Sequence, residues 1–296
     1  MNSLQLISDY KENEIYKKSF IGLAKQVFHI DFTKWDKLGC WNDDYICYSY
    51  LDGDKVVANV SINKMNVIIQ HKEYKALQLG TVMTHPDYRN KGLAVKLINH
   101  VLGKYIKEYD FIYLFANPSV LDFYPKFGFE RIQETRLVMS LSNFPIQQEN
   151  ISIIRKLDVD KSDDFLLMKR FAENRIPVST ICGVKRNKYL LFFYLIEAFN
   201  EMTYYLEKED AIILYEKIDD ELHLYDVIST SEIDIEALLS VIVTDETKRV
   251  VFHFIPDVLN NKSVCTLVES EDVLFMRPAK MNETIQPILF PLTSHA

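Results

Sequence analysis

A single glycine stands between a strand-like segment and a helical one, and this junction constrains the fold more than any other part of the sequence. The segment ALQLGTVMT (76–84) has the apolar character of a β-strand, and after HPDYRNKG the apolar residues recur at intervals of three and four, which predicts an amphipathic helix over 93–108. The next segment, FIYLFA (111–116), is apolar throughout, as in a strand buried on both faces. This alternation predicts an α/β fold with a mixed sheet.

The same kinds of pattern divide the chain into two segments. The polar stretch SNFPIQQEN (142–150) is the predicted boundary, which gives segments of 1–142 and 143–296. In the second segment, the order strand, strand, helix, strand over 211–255 repeats the back half of the first, which predicts an internal duplication. We further predict helices over 12–28, 32–38, 119–127 and 161–173, strands over 45–51, 56–63, 65–70, 128–132 and 136–141, and a hairpin turn at Asp52-Gly53.

Charge is distributed unevenly along the chain. Residues 1–150 carry 18 basic and 17 acidic side chains, whereas residues 151–296 carry 16 basic and 25 acidic ones. The net charge of −8 disfavours nucleic acid as a partner, because binding to phosphates requires a basic surface. The acidic second segment is either a solubilising surface or a source of negative field for a cationic ligand.

Metal content and cellular location are inferred from what the sequence lacks. The four cysteines form no CxxC pair and no zinc-type spacing, and the seven histidines form no ligand pair at helical spacing, so we expect no metal site. The longest apolar run, at 189–196, is far below the roughly 18 residues of a membrane span, and the N-terminus has no signal-peptide pattern. We expect a cytoplasmic protein without a membrane partner, and an oligomeric form stays open.

The loop before the predicted helix has the composition of an anion-binding site. The first turn of a helix leaves several N–H groups unpaired at the positive end of the helix dipole. Gly92 lets the backbone approach a ligand, Arg89 and Lys91 add positive charge, and Ala94 is small. These features predict a cradle for a pyrophosphate. The patterns GxxxxGK[ST] and GxGxxG are both absent from the sequence, which excludes the two better-known phosphate cradles.

Two motifs in register resemble those of the GCN5-related N-acetyltransferases (GNATs). The first is R-x-x-G-x-A at 89–94, preceded by VMTHPDY, and it resembles the cofactor-binding motif of that family. The second, NPSVLDFYPKFGF at 117–129, resembles the signature in which an asparagine precedes a short helix ending in FYxKxGF. The resemblance covers about residues 1–142, and it implies a GNAT fold with a degenerate GNAT-like copy after it.

This resemblance implies one acyl-CoA site, with acetyl-CoA as co-substrate. The backbone of Val82, Met83 and Thr84 would pair with the pantetheine arm, and Asn117 would contact that arm where the strands separate. The backbone amides that would hold the pyrophosphate are those of Arg89, Asn90, Lys91, Gly92, Leu93 and Ala94.

Tyr124 takes the position of the family tyrosine, which would protonate the departing coenzyme A thiolate. A phenol with an ordinary pKa of about 10 is protonated at neutral pH and suits this role. The alternative is a core aromatic packed beside Phe123 and Phe127. Pro125 departs from the family pattern, because it removes an N–H from the turn and can redirect the Tyr124 hydroxyl.

The general base is missing from the place that the resemblance implies. Some family members use a carboxylate on the strand before the loop, but 76–84 contains no Asp or Glu. Water, Glu73 or a group from the second segment is left to accept the proton of the amine. The related two-domain acetyltransferases of the enhanced-intracellular-survival type use their C-terminal carboxylate, so Ala296 or His295 at the site is one hypothesis. Removal of the last four residues would then abolish turnover and spare acetyl-CoA binding.

The second segment lacks cofactor-binding chemistry at the equivalent junction. The sequence YDVISTSEIDIEALL has neither Gly nor Arg, and Asp226, Glu232, Asp234 and Glu236 would stabilise the helix start while repelling a pyrophosphate. We therefore expect the second segment to form a wall of the acceptor site.

Four further residues have simpler interpretations. His85 is predicted to be a turn residue rather than a base, and Ser119 to be a helix N-cap rather than a nucleophile. Trp35 and Trp41 flank a loop that lies near the acceptor groove in the family's layout, where they either pack or line the groove.

Together these features favour an acetyl-CoA-dependent N-acetyltransferase that transfers the acetyl group directly to a primary amine of a small molecule or peptide. The acidic second segment favours cationic acceptors such as small polyamines, aminoglycoside-like amines or basic peptide termini. Two alternatives stay open. One is the transfer of a longer acyl group, and the other is a non-catalytic acyl-CoA-binding sensor, which the absent strand carboxylate suggests.

Overall fold

A computed structural model describes residues 4–142, 153–257, 263–267, 272–278 and 288–296. It contains two mixed β-sheets with helices packed on them, which confirms the predicted α/β class. The helices are α1 (Glu14–Phe28), α2 (Thr33–Lys37), α3 (Leu93–Tyr105), α4 (Ser162–Asn174), α5 (Lys188–Glu197) and α6 (Ile235–Ile242). The strands are β1 (Gln5–Ser8), β2 (Tyr45–Asp52), β3 (Lys55–Ile69), β4 (Lys72–Thr84), β5 (Phe111–Ala116), β6 (Glu130–Arg131), β7 (Thr135–Ser140), β8 (Ile154–Lys156), β9 (Cys182–Val184), β10 (Thr203–Leu206), β11 (Ala211–Ile218), β12 (Glu221–Ser229), β13 (Arg249–Phe252), β14 (Ser263–Leu267) and β15 (Val273–Pro278).

The first sheet has the order β1-β2-β3-β4-β5-β15-β6, with β9 also paired to β3. The predicted turn at Asp52-Gly53 joins β2 to β3, and Gly53 has the positive φ of 60° that this tight turn requires. Gln70 and His71 both adopt left-handed conformations and form a second two-residue turn. The two strands predicted over 56–63 and 65–70 are therefore one long strand, β3. The strand β1 has no counterpart in the sequence prediction.

The second sheet has the order β14-β7-β13-β12-β11-β10-β8. In each sheet one pair of neighbouring strands is parallel and is connected by a helix: β4 and β5 through α3, and β12 and β13 through α6. The repeated element order that the sequence predicts is thus present in the fold.

Each sheet contains strands from both halves of the chain, since β9 and β15 of the second half join the first sheet and β7 of the first half joins the second sheet. Next to β5 lies β15, which comes from near the end of the chain, and next to β13 lies β7, which precedes the predicted boundary. The predicted division into 1–142 and 143–296 therefore separates two stretches of sequence but not the two sheets. Of the predicted boundary stretch, residues 143–150 lie outside the described residues, and the domain division stays a prediction.

The core lies on both faces of the first sheet. On one face, Leu97, Ile98 and Val101 of α3 are fully buried. The other face carries an aromatic cluster that includes Phe20 and Trp35. Further along this sheet, Phe290 stacks on Tyr113 of β5 with ring centroids 4.7 Å apart. The end of the chain is therefore fixed against the centre of the first sheet. None of the helices in the described ranges is both long and apolar enough to cross a membrane.

Candidate active site

The parallel strands β4 and β5 separate part-way along their length and open a cleft. They pair only as far as Gln78 and Tyr113. Beyond this point the register of β4 against β3 shifts, and Thr81 adopts a positive φ of 47°, which is unusual for a residue with a branched side chain. A cleft of about 1170 Å³ runs from this opening to the start of α3 on one side and to α5 on the other.

The helix α3 begins at the cleft with its first N–H groups left free. Asn90 and Gly92 both have left-handed backbones, with φ of 61° and 71°, and Gly92 provides no side chain to cap the helix. By contrast, α6 is capped by Asp234, whose carboxylate accepts hydrogen bonds from two backbone amides of the first turn. The predicted anion site is therefore available in the first half of the chain, whereas a carboxylate occupies the equivalent position in the second.

The structure brings most of the predicted cofactor-binding residues to this cleft. Arg89 is exposed, with its Nε atom 3.4 Å from the carbonyl oxygen of Thr84. Lys91 does not line the cleft, because its ammonium group donates to the carbonyl of Asp87 at 2.9 Å and lies over the ring of Tyr88. The side chain of Met83 packs in the core. The predicted residues that line the cleft are Val82, Thr84, Arg89, Asn90, Gly92, Leu93, Ala94, Asn117 and Tyr124.

Tyr124 lines the cleft and also packs in the core, so its position is compatible with either interpretation and its role stays a prediction. It begins a short 3-10 turn, Tyr124–Phe127, in which Pro125 occupies an early position that needs no N–H. Its ring lies 6.0 Å from Phe275 of β15, a strand contributed by the other half of the chain. Burial raises the pKa of the Tyr124 phenol to about 12.

The predicted helix over 119–127 is replaced by two 3-10 turns, because the sequence supplies a proline near the start of each. The first is Pro118–Val120, and its capping residue is Asn117 rather than Ser119. The Asn117 side-chain oxygen accepts hydrogen bonds from the Ser119 amide at 3.1 Å and from the Ser119 hydroxyl at 2.5 Å. The prediction of Ser119 as the cap was wrong by two positions.

His85 is a turn residue, as predicted. It is buried, and its Nδ1 atom accepts from the Asp87 amide at 3.3 Å and caps the turn Pro86–Tyr88.

The far side of the cleft is lined by the α1–α2 region and by residues 185–194. Trp35 lines it and donates from its indole to the carbonyl of Tyr189 at 2.7 Å, whereas Trp41 packs in the core 5.1 Å from the ring of Phe20.

The wall contributed by the second half of the chain is balanced in charge rather than negative. It carries three cations, and each is paired with a carboxylate. These pairs are Lys185 with Glu73 at 2.6 Å, Arg186 with Asp44 at 2.7 Å and Lys188 with Glu173 at 3.3 Å. The excess of acidic residues in the second segment is therefore not found on this wall.

The last residue of the chain lies in the cleft. A Cβ atom placed on Gly80 of β4 would be 3.0 Å from the carbonyl carbon of Ala296. The imidazole of His295 stacks on Phe115 of β5 with centroids 3.5 Å apart, and burial lowers its pKa to about 3, which leaves the ring neutral. Both residues line the cleft that also contains most of the predicted cofactor-binding residues.

Glu73, the other named candidate for the base, does not line the cleft. Hydrogen bonds from Lys185 and from the Asn66 amide hold its pKa below the usual range.

A buried ion pair holds the end of the chain in this position. Arg175 donates two hydrogen bonds of 2.9 Å to Asp226, and the hydroxyl of Thr293 donates to the same carboxylate at 2.5 Å. Tyr194 adds a hydrogen bond of 2.9 Å to the carbonyl of His295. Asp226, predicted to stabilise the helix start and to repel a pyrophosphate, instead anchors the turn Leu292–Ser294. No local sequence signal identifies Arg175 or Thr293, because both act through a partner distant in the sequence.

Among the residues that the structure describes, no group of three or more His, Cys, Asp or Glu side chains is placed to hold a metal ion.

Comparisons with known proteins agree with this geometry. Residues 11–132 match the family model described as an acetyltransferase (GNAT) domain. Over 81 residues the chain is 35% identical to N-alpha-acetyltransferase 50 of Danio rerio, a match that covers 25% of this chain and 48% of that protein. The chain thus spans about half the length of this curated relative.

Three solved structures share the fold over nearly the whole chain. A conserved protein from Enterococcus faecalis, described as a probable N-acyltransferase, has a TM-score of 0.63 at 15% identity and covers 94% of this chain and 73% of its own. Eis1 of Mycobacterium abscessus has a TM-score of 0.59 at 12% identity, and the match covers 94% of this chain and 73% of Eis1. A GCN5-related N-acetyltransferase from Kribbella flavida has a TM-score of 0.54 at 15% identity, and the match covers 94% of this chain and 72% of that protein. Residues 11–132 are therefore similar to the acetyltransferase (GNAT) domain, and the three solved structures share the fold of the chain.

Proposed function

We propose that this protein transfers an acetyl group from acetyl-CoA directly to a primary amine. The observation that carries the proposal is that the uncapped start of α3 and the Tyr124 side chain face one cleft, at the point where β4 and β5 separate. A cofactor with an anionic end and a long neutral arm fits the order of these features along the cleft.

The start of α3 would hold the pyrophosphate of the cofactor. The amides from Arg89 to Ala94 supply hydrogen-bond donors at the positive end of the helix dipole, and the Arg89 guanidinium adds charge. The backbone of Val82 and Thr84 borders the opening between the strands and would pair with the pantetheine arm, with Asn117 on the opposite strand. Bound in this way, the cofactor would have its thioester near Tyr124.

The Tyr124 hydroxyl would protonate the leaving thiolate. Attack of the amine nitrogen on the thioester carbonyl forms a C–N bond and breaks the C–S bond, and the departing sulfur needs a proton. A phenol whose pKa is raised to about 12 by burial is fully protonated at neutral pH and so is available as the acid.

We assign the role of base to the carboxyl group of Ala296. It lies against Gly80 on the strand where other members of the family carry a carboxylate side chain, although β4 itself has none there. It would accept the proton that the amine loses. With this proposed base, the missing strand carboxylate no longer argues for the alternative of a non-catalytic sensor. A cytoplasmic location remains a proposal from the sequence.

The test is thiol release from acetyl-CoA in the presence of a panel of amines, combined with calorimetric measurement of acetyl-CoA binding. Replacement Tyr124→Phe should lower kcat by about 10²-fold or more and leave the acetyl-CoA Kd unchanged. Tyr16→Phe, at a tyrosine outside the cleft, is the matched control. Addition of one glycine after Ala296 should likewise lower kcat alone, because it displaces the carboxylate.

Each negative result has a distinct meaning. Binding of acetyl-CoA without acetylation of any amine supports the sensor function instead. Faster thiol release from longer acyl-CoA esters than from acetyl-CoA supports a different donor. Absence of acetyl-CoA binding contradicts the assignment of the α3 site.

A further inference from the structure

The acceptor side of the cleft contains buried side-chain amides that lack hydrogen-bond partners within the described part of the chain. They are Asn63, through its Nδ2 atom, Gln78, through both amide atoms, and Asn187, through its Oδ1 atom. All three side chains are more than nine-tenths buried. An unpaired buried polar atom costs free energy, so a group of them is expected where water or a ligand completes the hydrogen bonds.

These amides lie together at one place in the fold. Asn63 and Gln78 are directly opposite each other on β3 and β4, and Gln78 shares its face of the strand with Gly80, which contacts Ala296. Asn63 and Asn187 line the cleft itself, whereas Gln78 is fully buried behind them. The amide cluster therefore borders the proposed reaction site on the side away from the cofactor.

The segment that carries Asn187 is brought to Asn63 by the pairing of β9. The strand β2 begins at Tyr45, opposite Asn63, and beyond this point β9 pairs with the same edge of β3 from Val67 onwards. The Lys185 amide extends this pairing with a hydrogen bond of 2.8 Å to the carbonyl of Asn66. Residues 185–187 thus cross the gap in the sheet edge and reach the level of Asn63.

The charges around these amides do not favour a charged ligand. The three cations of the neighbouring wall are each neutralised by a carboxylate, as described above. These three ion pairs are each neutral overall and so supply no net charge to attract a polycation, and Asp272 and Ala296 also line the cleft. The Asn63 Nδ2 donor and the Asn187 Oδ1 acceptor belong to residues that line the cleft, and together they match a neutral group that both donates and accepts.

We infer that the acceptor is a peptide-like amine, in which the amide group next to the reactive amine is held between Asn63 and Asn187. The Asn63 Nδ2 atom would donate to the carbonyl oxygen of the acceptor, and the acceptor's amide N–H would donate to the Asn187 Oδ1 atom. The aromatic wall of Trp35, Tyr45 and Phe193 would then receive the first side chain. This inference rests on the proposed acetyltransferase function and names its substrate class.

The experiment compares three acceptors that carry the same reactive amine. They are an uncharged dipeptide amide, its ester analogue in which oxygen replaces the amide N–H, and a simple alkylamine. Spermidine serves as the polycationic acceptor. We expect kcat/KM for the dipeptide amide to exceed that for the ester and the alkylamine by at least 10-fold. Asn187→Leu should give equal kcat/KM values for the dipeptide amide and its ester. Asn63→Leu should lower kcat/KM for the amide and for the ester and leave kcat/KM for the alkylamine unchanged. Asn66→Leu is the control, since Asn66 lies on the same strand outside the cleft.

A second readout does not depend on turnover. The Asn63 Nδ2 and Asn187 Oδ1 atoms are unpaired without a ligand, whereas the Asn187 Nδ2 atom donates to the carbonyl of Thr293 at 3.5 Å. Asn63→Leu should therefore unfold at the same or a higher temperature than the parent protein, and the dipeptide amide should raise the melting temperature of the parent but of neither leucine variant. Equal kcat/KM for amide and ester, or the highest value for spermidine, would overturn the inference while leaving the acetyltransferase function intact. If acetyl-CoA binds but no amine is acetylated, the result would count against both the inferred acceptor and the acetyltransferase function.

Discussion

Gly80 and Ala296 lie so close together that a side chain at position 80 would meet the backbone of position 296. A Cβ atom on residue 80 would approach the carbonyl carbon and the Cβ of Ala296 to 3.0 Å and the carbonyl oxygen to 3.2 Å. The backbone of Gly80 does not have a positive φ, so its lack of a side chain matters for space rather than for conformation. One end of the chain is thus fitted against a strand from the opposite half.

Gly80→Ala should lower kcat by about 10-fold or more and leave the Kd for acetyl-CoA unchanged. The added methyl group displaces Ala296, and a small displacement of a proton-transfer group is costly for turnover. Gly103→Ala is the control, because Gly103 lies on α3 with no atom within 4 Å of its Cβ position. Steady-state kinetics and calorimetry measure the two effects. An unchanged kcat would show that Ala296 takes no part in the reaction.

Thr293→Val should release the end of the chain from its anchor. The variant removes a buried hydrogen bond to a charged group, which typically contributes about 1.5–3 kcal/mol, while the Arg175–Asp226 pair stays intact. We expect faster hydrogen exchange in a peptide covering 289–296, a lower kcat and an unchanged acetyl-CoA Kd.

Thr293→Ser provides the matched test of this anchor, because it restores the hydroxyl and should restore both exchange protection and kcat. The prediction fails if the exchange rate rises and kcat does not fall, since the anchor would then stabilise the fold alone.

Gly92→Ala should weaken acetyl-CoA binding. Gly92 has a left-handed backbone with open space around it, so an alanine there costs about 1–2 kcal/mol of strain without a clash. Relief of that strain alters the loop that presents the free amides. Gly39→Ala is closely matched, with a φ of 72° and no neighbouring atom, but it lies outside the cleft.

Both glycine variants should therefore lose similar thermal stability, and only Gly92→Ala should raise the Kd for acetyl-CoA. Equal affinity in the two variants would mean that the loop before α3 does not hold the cofactor.

Glu134→Gln should make the protein more stable at pH 8. Glu134 is buried, and burial raises the pKa of its carboxyl from 4.5 to about 7. Stability from the bound proton is fully present below about pH 4.5 and is lost as the pH rises through 7, an effect of up to about 3 kcal/mol. Glutamine keeps the oxygen that accepts the hydrogen bond of 3.1 Å from the Phe290 amide.

The measurement is the melting temperature of both proteins between pH 5 and pH 8, with Glu130→Gln, at an exposed glutamate, as the control. The difference between Glu134→Gln and the parent should grow with pH. His253 and His295 act in the opposite direction, because burial lowers their pKa values to about 3 and their contribution is lost as the pH falls below 6.5. Both proteins contain these histidines, so the difference isolates Glu134. A difference that is constant with pH would contradict the raised pKa.

Much of the candidate site was predictable from the sequence because its signals are local. The change from strand to helix around Gly92, the fully apolar β5 and the Asp52-Gly53 turn each depend on residues close together in the chain. The motif around Arg89 and the one that contains Tyr124 are equally local, and the structure places both at the same cleft.

The predictions of the helix over 119–127 and of the acidic wall were wrong, and each error has an identifiable cause. The prolines at 118 and 125 divide the predicted helix into two turns, and the capping role belongs to Asn117 because a cap must precede the proline. The acidic composition of the second segment was an average over its surface, and averages do not show that the wall facing the cleft carries paired cations.

The sequence by itself determined the class of fold and the position of the glycine-containing loop before α3, because hydrophobic periodicity and loop composition act over a few residues. The role proposed for Tyr124 came from the resemblance of its motif to that of the GNAT family. Only the tertiary structure decided which strands exchange between the sheets, that Asp226 and Thr293 anchor the chain end, and that Ala296 meets Gly80. These contacts join residues far apart in the chain. They arise when the two sheets bury their apolar faces together, and no local pattern records which distant residues that packing brings into contact.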